Sequence, residues 1–269
     1  KYNSSNNFIN LISDLRKTGF KISIYDVGGN WAEMNEPSDL VHFILGSKAE
    51  TLKRIQPKLT KSRVCDQITC EWHNWKSHPK EVIKDIQSKF KKQRLIIRSS
   101  SLEEDGWEKS QAGAFESVLD VDSQDIKTLS ESIERVFKSY GKISSSNQIL
   151  VQPFINDVNI SGVIFTCDMT TGAPYYIINY DDVSGKTNTI TSGNTNKLRT
   201  IILFRHEINN ILTIDPRLKK VIDAVQELEM LLGYNKLDIE FAVDKNEQCF
   251  TFQIRPITIN HSQSKLDSK

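Results

Sequence analysis

Asp238, Glu240, Gln253 and Arg255 sit in two runs that alternate polar and apolar residues, Asp238-Ile-Glu-Phe-Ala-Val243 and Cys249-Phe-Thr-Phe-Gln-Ile-Arg-Pro-Ile-Thr258. Period-two alternation reads as half-buried strand, and the polar Lys245-Asn-Glu-Gln248 between the runs supplies the loop of an antiparallel hairpin. A loop of that length sets Asp244 opposite Cys249, Ala242 opposite Thr251, Glu240 opposite Gln253 and Asp238 opposite Arg255, and directly opposed residues share a face. Ile239, Phe241, Val243, Phe250, Phe252 and Ile254 fall on the other face, which is expected to be core. The polar patch gathers a carboxylate, a carboxamide oxygen and a guanidinium on stiff backbone. Hard oxygen donors beside a planar cationic fork suit a Mg2+ ion carrying a polyphosphate. The same pattern also describes a hairpin whose outer face is merely polar and exposed.

Two further cations stand where a strand or helix end would present them. In Ile44-Leu-Gly-Ser-Lys-Ala-Glu-Thr-Leu-Lys-Arg-Ile55 a glycine turn enters a helix whose Leu52 and Ile55 face inward and which Pro57 stops. Lys48, in its first turn, can reach a phosphate. Arg98 ends the buried strand Arg94-Leu-Ile-Ile-Arg98 and opens a long, polar, glycine-punctuated loop to Ser117, a kind of loop that is usually functional or disordered.

Around these residues the chain reads as mixed helix and strand. Helical stripes run through Val82, Ile83, Ile86 and Phe90 after Pro79, and through Ile126, Leu129, Ile133, Val136, Phe137 and Tyr140 up to Gly141. A third, from Asp215-Pro216 to Gly233, carries Leu218, Val221, Ile222, Val225, Leu228 and Leu232. Strands are expected at 148–155, 161–166 and 175–180. The polar Ser144-Ser-Ser-Asn147 marks a boundary. The expected organisation is an N-terminal segment 1–40, a first lobe 41–147, a second lobe 148–259 and a polar tail 260–269. Within the N-terminal segment, Phe8, Leu11, Ile12 and Leu15 share a helix face ended by Gly19, and Lys21–Tyr25 reads as a strand.

Several of these stretches, in order, resemble one family. Asp238-Ile-Glu-Phe-Ala with Phe252-Gln-Ile-Arg-Pro-Ile-Thr258 resembles the end of the nucleotide-binding domain in the phosphoenolpyruvate synthase and pyruvate phosphate dikinase family, an ATP-grasp fold. Arg98-Ser-Ser100, Glu104-Asp105, Ser110-Gln-Ala-Gly113 and Glu116-Ser117 resemble its most specific motif, with Ser117 in place of Thr. Gly46-Ser-Lys48 and Ser161-Gly-Val-Ile-Phe-Thr166, followed by Asp168 and Gly172, are similar as well. The resemblance implies an α+β fold of two lobes clasping ATP. It places Lys48, Arg98 and Arg255 on the phosphates as the catalytic clamp, Gly113 in a flap that covers them through backbone N–H groups, and Mg2+ on Glu240 and Gln253. Gln152, Phe154 and Ile155 would offer backbone groups to adenine at the hinge, where Pro153 removes one donor.

The reaction implied is attack on ATP by a histidine on a separate swivelling domain, followed by transfer to a small-molecule acceptor. None of the five histidines lies in a segment resembling that phosphohistidine carrier, so the carrier domain is expected elsewhere. Two departures bear on the acceptor. Residues 58–75 lack the family's Val-Pro-x-Gly-Phe, and 181–193 replace its Gly-Leu-Gly-Glu. Both resemble the surface-polysaccharide branch, whose relatives phosphorylate the amide of L-glutamine for capsule phosphoramidate; pyruvate is the family default. Residues 26–40 resemble the closing segment of a sugar-nucleotidyltransferase domain, which fits that branch. A carboxylate-amine ligase and a nucleotide-sensing module without transfer chemistry are the rival readings.

Composition narrows the partners. Lys and Arg number 35 against 34 Asp and Glu, so a net charge of +1 recommends neither nucleic acid nor an anionic membrane. With no apolar run of spanning length and no hydrophobic signal core, a cytoplasmic location is expected. Cys65, Cys70, His73 and His78 are the right types for zinc, but in a β-rich segment they would point to differing faces, so reduced structural thiols are the expectation.

Overall fold

The period-two runs between Ile68 and Pro256 form two antiparallel sheets, each with its own layer of helix. The computed structural model describes residues 8–21, 46–100, 116–141, 143–144, 147–187 and 198–257. Two compact units divide the chain, Lys1–Asn35 and Glu36–Lys269, so the first ends five residues before the expected boundary at residue 40. In the first unit, α1 (Phe8–Lys17) places Arg16 and Lys17 in its last turn, where cations favour the helix dipole, and ends at Gly19 with φ 85°. All but the first residue of the expected strand at 21–25, the segment to residue 40 and the tail 260–269 lie outside the described residues.

In the second unit the elements run α2 (Lys48–Ile55), β1 (Ile68–Glu71), α3 (Trp72–Ser77), α4 (Pro79–Lys89), β2 (Arg94–Ser99), β3 (Ser117–Asp122), α5 (Ile126–Ser139) and β4 (Gln148–Pro153). There follow β5 (Val158–Phe165), β6 (Tyr175–Asp181), β7 (Arg199–Phe204), α6 (Ile211–Ile214), α7 (Lys219–Leu232), β8 (Leu237–Asp244) and β9 (Cys249–Pro256). The first sheet has the order β1-β4-β2-β3 and the second β7-β6-β5-β8-β9. Among the described residues no helix is long and apolar enough to cross a membrane.

Leu95, Ile97, Ile149 and Val151 alternate onto one side of the first sheet and pack with Val82, Ile83 and Ile86 of α4 and Leu129, Ile133, Val136 and Phe137 of α5. The helix stripes expected from sequence therefore hold, except that Ile126 is 59% exposed. It follows directly on the N-cap Asp125, whose carboxylate accepts from Lys127 and Thr128 N–H, and lies before the first inward turn. The second core joins α7 to Ile160, Ile164, Tyr176, Ile178, Ile239, Phe241 and Ile254.

Ala49, Leu52 and Ile55 of α2, together with Val64, belong to this second core. Conversely, β4 pairs with β1 and β2. The lobe boundary drawn at residues 147 and 148 is corrected on both counts: β4 completes the first sheet, and α2 packs against the second. Local polarity at Ser144–Asn147 marked a loop, but strand pairing is nonlocal. Nothing in the local pattern signalled α3, α6 or β7.

The hairpin is present, but its loop closes one residue early, since Asp244 N–H donates to the Gln248 carbonyl at 3.1 Å; the register holds where the polar residues sit, with Asp238 facing Arg255 and Glu240 facing Gln253. Beyond them a β-bulge intervenes, so Phe241 faces Thr251, Ala242 faces Phe250 and Val243 faces Cys249, in place of the expected Ala242–Thr251 and Asp244–Cys249 pairs. The extra residue exchanges the faces of the outer half of β9. Cys249 and Thr251 become buried, Phe250 and Phe252 stand half-exposed with their rings stacked at 6.4 Å, and the expectation of both rings in the core is overturned. Buried Thr251 bonds the Ser62 hydroxyl at 2.9 Å, and Arg63 exchanges backbone bonds with Cys249 and Thr251 along the outer edge of β9.

Gly162, in the middle of β5, leaves no room for a side chain. A Cβ there would lie 2.9 Å from the Phe241 ring and closer still to the Asn179 carbonyl oxygen, which belongs to paired backbone and cannot move aside. Gly162→Ala is expected to lower stability by about 1–3 kcal/mol, read as a drop in urea midpoint at unchanged slope. An unchanged midpoint would show that the β5–β6 pairing yields more easily than its geometry implies.

Candidate functional site

Four elements bring the polar residues together. Ser47 caps α2 through a capping box: its hydroxyl accepts from Glu50 N–H at 3.4 Å and its own N–H donates to Glu50 Oε2 at 2.9 Å. The same hydroxyl accepts from Gln148 Nε2 at 2.8 Å, and Ala49 N–H donates to Ser100 Oγ at 3.0 Å. The start of α2 is thus pinned to β4 and to the residue after β2. Lys48, its first residue, is held 6% exposed with Nζ 3.4 Å from the Ser99 carbonyl. Sequence reasoning passed over this pinning, although Ser47-x-x-Glu50 is a legible capping box.

Arg98, one residue before the end of β2, crosses from the first sheet to the second. Nη2 donates to Glu240 Oε2 at 2.6 Å and approaches Gln253 Oε1 at 3.5 Å, while Nη1 donates to the Phe252 carbonyl at 3.3 Å. Phe252 is the bulged residue, so its carbonyl can turn out of the ladder towards the guanidinium. The Glu240 side chain is only 17% exposed, not set on an open face as the hairpin pattern suggested. Burial pushes its carboxyl up, but the Arg98, Lys48 and Arg255 charges together with the Arg98 hydrogen bond outweigh burial and hold it below the ordinary range. Three cations therefore act on one ionised carboxylate.

Buried atoms without partners among the described residues are concentrated here. Arg98 Nε and Gln253 Nε2 are two such donors, and Gln152 Nε2, on the first-sheet face that also carries Arg98, is a third. Donors left bare at this cost call for a ligand with several acceptor oxygens. The oxygens of Glu240 and Gln253 are hard donors on opposed positions, and an ionised carboxylate with a neighbouring carbonyl oxygen fits Mg2+, which keeps water and phosphate oxygens for its remaining positions.

The other expected residues divide. Gln152 is buried and Ile155 half-buried at the start of the β4–β5 connection. Phe154 N–H donates to the Arg94 carbonyl at 2.8 Å, so of its two backbone groups the donor expected at the hinge is already engaged. Gly113 lies outside the described residues. Cys65 and Cys70 are buried, their thiols pushed up to about 12 and about 11 chiefly by desolvation, whereas His73 and His78 are exposed. Among the described residues, no group of three or more His, Cys, Asp or Glu could hold a metal ion.

Because the folded pKa of Glu240 lies below its ordinary 4.5, its stabilisation is complete above about pH 4.5 and is lost as pH falls through the lowered value. Glu240→Gln leaves Arg98 buried against a neutral group and is expected to cost about 3–5 kcal/mol at neutral pH. Its stability should also fall less steeply under acid than that of the parent protein. Urea midpoints between pH 3 and 7 measure both effects; parallel profiles would mean that the pair contributes nothing.

The family model described as pyruvate phosphate dikinase, AMP/ATP-binding domain, matches residues 50–197, more than half of the chain; this span contains Arg98 and Gln152, while Lys48 and the hairpin fall outside it. No curated protein matches. Similar solved structures include D-alanine-D-alanine ligase from Helicobacter pylori (12% identity, 80% of this chain and 52% of that one, TM-score 0.45). Another is D-alanyl-alanine synthetase A from Vibrio cholerae O1 biovar eltor (10%, 81% and 57%, 0.46). A third is the macrocyclase MdnC bound with precursor peptide MdnA from Microcystis aeruginosa (11%, 97% and 67%, 0.44). The chain spans little more than half the length of the two D-alanine enzymes. Two antiparallel sheets facing each other across a cationic, donor-rich cluster form an α+β ATP-grasp fold, and the chain belongs to the pyruvate phosphate dikinase AMP/ATP-binding domain family.

Proposed function

We propose that this chain is the ATP-binding part of a dikinase-type phosphotransferase, passing phosphoryl from ATP through a histidine on a separate domain to a small acceptor. The observation that carries the reading is the set of buried, unpartnered donors beside three cations, Arg98 and Arg255 on the two sheets and Lys48 at the start of α2, a site suited to a polyphosphate. In this reading Lys48, Arg98 and Arg255 hold the phosphates, and Arg98 exchanges its present partners for phosphate oxygens. Glu240 and Gln253 hold Mg2+, which when bound supplies charge neutralisation on the phosphate oxygens. Gln152 and Ile155 line the nucleoside end. Such a clamp contributes by position and by electrostatics arranged in advance, with no covalent role for the chain's own residues.

For the acceptor we favour the amide of L-glutamine, on the two sequence departures from the pyruvate-type pattern, with pyruvate as the default. Product identity separates this chemistry from acyl-phosphate ligation, because the contacts to ATP are common to both. Attack by histidine on the β-phosphorus, followed by hydrolysis of the pyrophosphoryl group, leaves AMP and orthophosphate; acyl-phosphate formation leaves ADP.

Calorimetry is expected to show Mg2+-ATP binding by the 269 residues with little turnover, and Lys48→Met should weaken it by about 2 kcal/mol, the scale of a charge-assisted contact to phosphate. With a histidine carrier domain supplied in trans, phosphorus NMR should show AMP, orthophosphate and, with glutamine, a P–N resonance. ADP as the sole nucleotide product would sink the dikinase reading. Phosphoenolpyruvate formed from pyruvate would sink the glutamine assignment alone.

A further inference from the structure

Two of the unpartnered buried atoms belong to Gln67, the residue before β1, and to Gln152 on β4. Beyond Ile68↔Val151, the β1–β4 register continued by one residue sets Gln67 opposite Gln152, which also faces Ile96 on β2. Directly opposed side chains share a face, and strand alternation puts both amides on the face that carries Arg98, one step nearer the β4–β5 connection. Gln152 is 2% exposed. Its Nε2 has no partner among the described residues, and neither has Gln67 Oε1. The apolar Ile96 beside Gln152 and Leu119 on β3 are half-buried.

The orientation of Gln67 is chemically fixed. Its Nε2 donates to the Ala49 carbonyl of α2 at 2.7 Å, and a carbonyl can only accept, so the atom left over is the oxygen. Gln152 has no such lock and can present its NH2 group beside that oxygen. The two amides together offer one fixed acceptor and one donor next to half-buried apolar surface. A flat heterocycle with an amino donor beside a ring-nitrogen acceptor matches that pattern; a ring with a carbonyl in the amino position sets oxygen against the Gln67 oxygen.

We infer that Gln67 and Gln152 read the nucleobase through their side chains: Gln67 Oε1 accepts from the exocyclic amino group of adenine while Gln152 Nε2 donates to an adjacent ring nitrogen, which selects ATP over GTP. The inference rests on the ATP-binding reading above and adds to it the residues that set base specificity. Gln67 was singled out by no motif, and a role for Gln152 through its side chain differs from the backbone role expected at the hinge.

Binding of Mg2+-ATP, Mg2+-GTP and Mg2+-tripolyphosphate to the full chain is measured by calorimetry for the parent protein and for Gln67→Leu, Gln67→Glu and Gln152→Leu, each checked by thermal melt. The parent should prefer ATP, and both leucine variants should lose about ten- to a hundred-fold of that preference while tripolyphosphate binding stays unchanged. Gln67→Glu sets a carboxylate oxygen against the Ala49 carbonyl in place of the Nε2 donor, so it should lose the preference as the leucine variant does although its size is kept, which separates loss of the lock from a loss caused only by packing. An unchanged ATP-to-GTP ratio in the folded leucine variants overturns the inference, since the two amides then satisfy one another or a bridging water. Parent protein that binds tripolyphosphate but does not distinguish the bases also overturns it and leaves the phosphate site standing. Absence of binding to any of the three ligands removes both readings together.

Discussion

The Arg98–Glu240 pair is the interaction on which the arrangement of this site depends. Its two ends belong to different sheets, β2 and β8, and neither end has much access to water. A guanidinium and a carboxylate withdrawn from solvent each cost several kcal/mol unless closely matched, so the two sheets are held at the separation that keeps the pair bonded. The rest of the cluster conforms to that separation. Arg98 spends a second nitrogen on the Phe252 carbonyl, Gln253 lies opposite Glu240, and Lys48 sits where its charge bears on the same carboxylate.

Lys48 could not be there without α2, and α2 is tied to both sheets. Its apolar side belongs to the core of the second sheet, while its first turn is capped and cross-bonded by Ser47, Gln148 and Ser100 at the edge of the first. The β-bulge at Phe252 plays a comparable part from the other side. By exchanging faces, β9 buries Thr251 against Ser62 and offers a carbonyl outward to Arg98. A regular hairpin would commit that carbonyl to the ladder.

The sequence held local patterns well and nonlocal ones poorly. Alternation and loop length paired Glu240 with Gln253 and Asp238 with Arg255 only because two departures cancel: beside the loop the register is one residue off, with Val243 opposite Cys249, and the bulge at Phe252 restores it. Cys249, Thr251, Phe250 and Phe252 were placed on the wrong faces, since the stretch between the loop and the bulge runs one residue out of the expected register and nothing in Cys249-Phe-Thr-Phe announces it. The proximity of Arg98 to Glu240, 142 residues away, came only through family resemblance; in isolation Arg98 was an ordinary strand-end arginine. Lobe membership failed for a related reason: β4 and α2 are assigned by partners far away in sequence, while the polar linker before β4 is a local signal. Gln67 shows the limit most sharply. An amide becomes informative only when its orientation is locked by a carbonyl from another element, here Ala49, and no spacing rule encodes that.

The same pair also determines what ligand binding must consist of. Arg98 is already bonded to Glu240, and a carboxylate held below its usual pKa by three cations gives up its partner at a cost. On the proposed reading, a polyphosphate would replace the carboxylate as the partner of Arg98 while a divalent cation replaces Arg98 as the partner of Glu240. Each buried charge would thus exchange one opposite charge for another, and none would be left bare. Either ligand alone breaks the pair and compensates only one half. On that reading the phosphate chain and the metal would bind favourably as a unit, and the partner exchange of the Arg98–Glu240 pair would couple the nucleotide to Mg2+.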